Sequence, residues 1–273
     1  MRSRAAVFVF HDIVPFERLA EVPAGDRPYA LPPEELRAFL VAASLSGRRA
    51  VPAGTVPGEL ATRFYSLTFD DGHASDYTEA FPVLRELGLR ATFFVVPTLV
   101  DTPGYVRWDQ LREMVAAGME VGSHSLTHPF VDHLDRAGLQ REFGESKSMI
   151  EDRLGMAVRA ASLPRGWGTR HLETVLGELG YHAFCTSRVG WWHPGDAPLA
   201  IPRVRASLGM PVERFLAIVA GEPLSLWGLQ AVEAAKNTVK RCIGRRAWNR
   251  LRTPFLRLRY TLEARPEARP EAR

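Results

Sequence analysis

Phe64-Tyr65-Ser66-Leu67-Thr68-Phe69-Asp70-Asp71-Gly72 is an apolar, aromatic run that ends abruptly on two carboxylates and a glycine. Residues 64–69 read as a strand buried on both faces, the kind found in parallel sheets. Adjacent carboxylates with no cation beside them in sequence repel each other, and a metal ion is the group that would relieve this. Standing alone, Asp-Asp-Gly is an ordinary turn and helix cap.

Working outward, similar runs occupy Ala5–Phe10, Ala91–Val96, Glu120–Gly122, Ala157–Leu163, Ala183–Thr186 and Ile201–Val204. Helical spacing fills the gaps near 77–87, 108–117, 135–154, 169–179 and 211–220, and an earlier helix follows Pro33 through Leu36, Phe39, Leu40 and Ala43. Such alternation predicts an α/β fold of βα units around about seven parallel strands. Periodicity leaves open whether the sheet closes into a barrel or stays open and doubly wound.

A second chemical cluster, Gly122-Ser123-His124-Ser125-Leu126-Thr127-His128, again follows a strand directly. Two histidines four apart are expected to share one side of a helical turn. Two imidazoles and one carboxylate make three protein ligands and leave a position open for water, the pattern of a catalytic metal site.

The Thr68–Gly72 motif and His124-Ser125-Leu126-Thr127-His128, in this order and spacing, resemble the polysaccharide deacetylases of carbohydrate esterase family four, and the resemblance spans Ala5 to Gly221. It implies a distorted (β/α) barrel in which Asp70 is the catalytic base and Asp71, His124 and His128 bind a divalent ion, with Zn²⁺ expected. The reaction implied is removal of an N-acetyl group from a polysaccharide or a lipid-linked amino sugar. The family's third motif corresponds to Ser162-Leu163-Pro164-Arg165-Gly166, where Ser162 stands in place of the usual arginine. Another residue must then orient Asp70, and Arg165 and Arg203 are the candidates. The Leu163, Pro164, Arg165 and Gly166 turn is expected to line the oxyanion and substrate groove. No histidine follows His193 to serve as general acid, but Phe10-His11-Asp12-Ile13 resembles a signature some relatives carry on the first strand, which assigns the acid to His11.

His73 is either a groove residue or a solvated loop histidine, and Trp191 and Trp192 are expected to stack on a sugar ring. A non-haem iron oxygenase shares the two-histidine, one-carboxylate set, but it predicts neither the second aspartate nor the α/β alternation. A deformylase acting on a lipid-carried sugar and a non-catalytic sugar-binding protein are the nearer alternatives.

The chain of 273 residues is 46% hydrophobic and 24% charged, within the range of ordinary globular proteins. It contains no apolar stretch of the roughly 20 residues a membrane span needs, and its start reads as a folded strand instead of a signal peptide, so a cytoplasmic location is expected. Cys185 and Cys242 suggest neither a zinc cluster nor a required disulfide.

Charge is unevenly spread. Lys236, Lys240, Arg241, Arg245, Arg246, Arg250, Arg252, Arg257 and Arg259 fall between 234 and 262 without an acidic residue; the net charge of +4 less these nine leaves −5 on the rest. Residues 1–222 are therefore read as the catalytic barrel, 223–262 as a basic amphipathic helical extension and 263–273 as a disordered Glu-Ala-Arg-Pro tail. The extension resembles segments that lie on anionic membranes. The expected partners are a carbohydrate or lipid-linked sugar and, through residues 226–260, the inner face of a membrane, with nucleic acid not expected.

Overall fold

The computed structural model describes residues 4–23, 25–59, 63–166, 168–169, 171–236 and 238–239. Its strands are β1 (Ala6–Phe10), β2 (Arg49–Ala50), β3 (Phe64–Asp71), β4 (Thr92–Val95), β5 (Glu120–Ser123), β6 (Ala160–Ser162), β7 (Ala183–Cys185) and β8 (Val204–Arg205). The order is β7-β6-β5-β4-β3-β1-β8, every pairing is parallel, and the short β2 lies beside β3. The two ends of this order meet at Ile201. Its amide donates to the Phe184 carbonyl and its carbonyl accepts from the Thr186 amide, so the sheet curls into a distorted barrel.

Helices α1 (Pro33–Ser44), α2 (Phe81–Glu86), α3 (Trp108–Ala116), α4 (Arg136–Leu154), α5 (Leu172–Glu178) and α6 (Val212–Val219) connect the strands. They lie close to the positions the periodicity predicts. The approach to α2 differs, because Asp76–Ala80 is wound as a π-turn in which Phe81 donates to the Asp76 carbonyl. Pro82, one residue later, has no amide to give to Thr78, and the helix widens where that bond is missing.

The pleat sorts each strand into two faces. Phe8, Phe10, Tyr65, Leu67, Phe69, Phe93, Val95, Val121, Ala161, Phe184 and Val204 belong to the large core that includes buried side chains of the helices. Ala5, Val7, Phe64, Phe94, Ala160, Ala183, Cys185 and Ile201 form a second cluster that also holds Trp192, inside the barrel. That interior is narrow. A Cβ on Gly122 would lie 2.6 Å from the Phe94 ring and 2.7 Å from the Ala160 carbonyl oxygen, so only glycine fits there. Followed toward the strand ends, the interior series leads from Ala5 and Val7 to His11, from Phe64 to Thr68 and Asp70, from Gly122 to His124, from Ala160 to Ser162, and from Ile201 to Arg203.

Beyond Gly221 the chain makes a short 3-10 turn (Pro223–Leu226) and a helix over 227–236. Leu226 is fully buried in the main core. Residues 240–273, with most of the expected basic extension and the whole expected tail, lie outside the described residues. Among the described residues no helix is long and apolar enough to cross a membrane.

Candidate metal centre and active site

Register brings the chemistry to one rim. Phe10 pairs with Phe69, Asp71 with Val95, Val95 with Ser123, and Ser123 with Ala161, so His11, Asp70, Asp71, His124 and Ser162 all sit where parallel strands end. Barrel enzymes build their active sites at this rim.

Asp70 follows the pleat inward and is 2% exposed. Arg203 grips it with two parallel hydrogen bonds, Nη1 to Oδ1 and Nη2 to Oδ2, both 2.7 Å. The guanidinium is itself fixed by donation from Nε to the Thr186 carbonyl and from Nη1 to Thr68 Oγ1. Burial alone would raise the Asp70 pKa, but the charge of Arg203 and its hydrogen bonds, together with His124, outweigh it and hold the carboxyl below its ordinary value. Of the two arginines considered for this place, Arg203 occupies it. Arg165 donates instead to the His128 carbonyl and lies over the Phe130 ring.

Asp71 breaks the pleat. Its φ of 80° places it in the left-handed region, and Gly72, also left-handed, packs so closely on Val95 that its missing side chain matters. This turn brings Asp71 Oδ1 to 3.3 Å from Nε2 of both His124 and His128. Burial would raise the Asp71 pKa, yet His124 and His73 hold it well below the ordinary range.

The two histidines are not on a helical turn, contrary to the expectation from their spacing. Residues 124–130 form a loop in which Ser125 (φ 64°) and His128 (φ 57°) are both left-handed. Ser125 Oγ accepts from the His128 amide. The buried Glu142 carboxylate, from α4, accepts from the amides of Leu126 and Thr127 and from the Thr127 hydroxyl. The loop thus curls around one carboxylate, which brings the imidazole centroids to 5.0 Å. Ser162 Oγ is hydrogen-bonded to His124 Nδ1, leaving Nε2 to face Asp71. Burial, and next the neighbouring His124, lower the His128 pKa to about 4.

One ligand atom from each of Asp71, His124 and His128 falls within 4.8 Å of the other two. Ligand atoms about 2.0–2.1 Å from a tetrahedral centre lie roughly 3.3–3.4 Å from one another, which matches the two 3.3 Å approaches. The residues fit a divalent ion bound by nitrogen and oxygen.

His11 is close enough to feel the charges of Asp71 and Asp70, although burial dominates and lowers its pKa to about 4. The edge of its ring meets Tyr29 at 4.8 Å and 66°, and Arg205 lies over that same tyrosine at 4.9 Å. In the third-motif turn Leu163 donates its amide to Cys185 and Pro164 has none. Arg165 is left-handed, with φ 57°, and Gly166 after it has φ 73°.

Trp191 and Trp192 are corrected from stacking surfaces to structural residues. They are 9% and 1% exposed. Trp192 exchanges backbone hydrogen bonds with Ala5, at the opposite end of β1 from His11, and packs on Phe64. No face is left for a sugar.

His73 does belong to the site. Its Nε2 lies 3.6 Å from Asp71 Oδ2, its ring stacks on Tyr105 at 5.5 Å, and its pKa is raised to about 9 because Asp71, Asp12 and Asp76 outweigh the opposing effect of burial. Asp76, in the π-turn, is also buried, and burial pushes its carboxyl well above the ordinary range.

With this geometry in hand, comparisons with known proteins agree with one another. The family model for polysaccharide deacetylases matches residues 58–184. A chitin deacetylase of Colletotrichum lindemuthianum is 33% identical over 155 residues, covering 53% of this chain and 59% of that protein. A chitooligosaccharide deacetylase of Sinorhizobium fredii is 33% identical over 147 residues, covering 50% and 66%. The chain thus spans less than two thirds of the length of either. The solved structure of IcaB from Ammonifex degensii aligns with a TM-score of 0.67 at 26% identity, covering 80% of this chain and 96% of that one.

Proposed function

Because the chain belongs to the polysaccharide deacetylase family, we propose that it is a metal-dependent hydrolase that removes N-acetyl groups from amino sugars of a polysaccharide or a lipid-linked glycan. The observation that carries this reading is the convergence of Asp71, His124 and His128 beside a second carboxylate, Asp70, that Arg203 holds ionised.

A divalent ion, Zn²⁺ by the nitrogen and oxygen donor set, would supply Lewis-acid polarisation and lower the pKa of a water at the open position. Asp70 is the base in this reading. Its lowered pKa keeps it ionised at neutral pH, and the bidentate Arg203 grip fixes the direction in which it accepts a proton. His11, inside the barrel at the end of β1 and neutral at pH 7 by its lowered pKa, would relay to the departing amine the proton that Asp70 takes from the water. A backbone amide of the Leu163–Gly166 turn would stabilise the charge that develops on the carbonyl oxygen. The left-handed backbone at Asp71, Ser125, His128 and Arg165 supports the same reading, because strained non-glycine residues gather where function compensates their cost.

The test is metal analysis of the purified chain alongside acetate release from N-acetylglucosamine oligomers, with N-formylated oligomers as the comparison. Asp70→Asn should keep the metal and lose about 10²–10⁴-fold in rate. Parent-like activity in Asp70→Asn would remove Asp70 as the base, and a metal-free parent that hydrolyses the amide at full rate would remove the metal.

A further inference from the structure

The helix over 227–236 is apolar on two sides. One side is accounted for: Leu226 is fully buried, Leu229 packs on the same core, and the Glu233 carboxylate accepts from the Val189 amide. On the other side Trp227 is 71% exposed, Val232 52% and Val239 45%, and Leu224, in the preceding turn, is 82% exposed. Ala231 and Ala235 are exposed as well. At 100° per residue, positions 227, 231, 235, 239 and 232 sweep an arc of roughly 140°. An apolar stripe of this width facing water marks a docking surface.

Charge identifies what docks. The sequence that follows carries nine lysines and arginines between 234 and 262 and no acidic residue. Two copies meeting through this stripe would bring these cationic stretches together, and a nucleic acid would leave the aliphatic side chains of Leu224, Val232 and Val239 in water. An anionic bilayer satisfies both features, with the headgroups taking the cations and the acyl boundary taking the tryptophan and aliphatic side chains. We propose that Leu224, Trp227, Val232 and Val239 dock the protein on an anionic lipid surface. The docking helix is tied to the catalytic rim, since Val189 follows Arg188, whose carbonyl accepts the amide of Arg203, the residue that grips Asp70.

The test is co-sedimentation of the full chain with vesicles of mixed phosphatidylglycerol and phosphatidylcholine, or of phosphatidylcholine alone. The parent should pellet with the anionic vesicles only, and Trp227→Ser/Val232→Ser should bind about tenfold more weakly while keeping the parent's melting temperature and circular dichroism. Equal binding by parent and variant would show that charge alone acts and would overturn the docking stripe. A parent that ignores anionic vesicles would overturn the proposal entirely. So would a parent that is dimeric in light scattering and becomes monomeric on the double substitution, because the stripe would then belong to a second copy.

Discussion

Asp70 and Asp71 are adjacent in the chain yet belong to two differently built regions of one site. Asp70, His11, His124, Ser162 and Arg203 all continue the interior series of their strands, so the pleat and register that place the barrel's inner apolar side chains place them too. Asp71 and His128 sit on left-handed backbone above the rim, a conformation that costs on the order of 1–3 kcal/mol for a non-glycine residue. Their positions are kept by local devices, with Gly72 against Val95 on one side and the Glu142 carboxylate inside the histidine loop on the other. Interior positions thus come at little cost once the sheet forms. Rim positions are held against strain, and they are where a ligand gained or lost should be felt most.

The largest effect that can break this contrast is expected at the rim. Asp71→Asn removes the one anionic member of the proposed ligand set and should abolish metal retention and lower acetate release on the order of 10³-fold, whereas the same change one residue earlier leaves the metal in place. Equal metal content in the two variants would erase the distinction between the regions. Inside the barrel the larger effect should be on stability. Arg203→Met leaves the buried Asp70 carboxylate without its partner and should cost about 3–5 kcal/mol, read as a lower melting temperature at neutral pH. The pH dependence reverses with it. In the parent the Asp70 pKa is lowered, so its stabilisation is present above the ordinary carboxylate value of about 4 and is lost as pH falls through the lowered value. In Arg203→Met only His124 and His11 still oppose burial, the pKa should rise above the ordinary value, and stability should then fall as pH rises from that ordinary value through the raised one. A variant that keeps the parent's acid profile would show that the ion pair does not set it.

Legibility in the sequence divides along the same line. Seven of the eight strands, all but the two-residue β2, and the barrel's helices follow from apolar runs and helical spacing, and Asp70, Asp71, His124 and His128 stand in two compact motifs within the stretch 58–184 that the family model covers. His11 and Arg203 fall outside it. Counting by twos from Ile201 singles Arg203 out as inward-facing, so a signal for it existed, but the sequence offered Arg165, in the third motif itself, ahead of it, because parity cannot say which strands are opposite until the barrel closes. The histidine spacing invited a helical turn, and nothing in Ser-Leu-Thr announces two left-handed residues held by Glu142 from a distant helix. Trp191-Trp192 misled for a related reason: a tryptophan pair after a strand fits a sugar platform as well as a plug, and only the antiparallel bridge of Trp192 to Ala5 shows that it closes the barrel floor.

Ser162 joins the two regions and yields the smallest and sharpest of these tests. In sequence it reads as a loss, a serine where the third motif of the resembled family has an arginine. In the structure Arg203 grips Asp70 from across the barrel, and the short side chain at 162 leaves room for the inward-facing imidazole of His124, whose Nδ1 bonds to Ser162 Oγ. A bond of this kind fixes the tautomer and ring orientation of a ligating histidine, and its loss typically weakens metal affinity about 10–100-fold. Ser162→Ala should therefore release the metal to a chelator about 10–100-fold more readily, change the visible spectrum of the cobalt-substituted protein, and leave the Asp70 acid limb of stability untouched because Arg203 is intact. Ser162→Thr, which keeps the hydroxyl, should restore the affinity. If Ser162→Ala instead held metal as tightly as the parent, His124 would be positioned by the sheet alone, and the interior region would need no help from its neighbours to serve the rim.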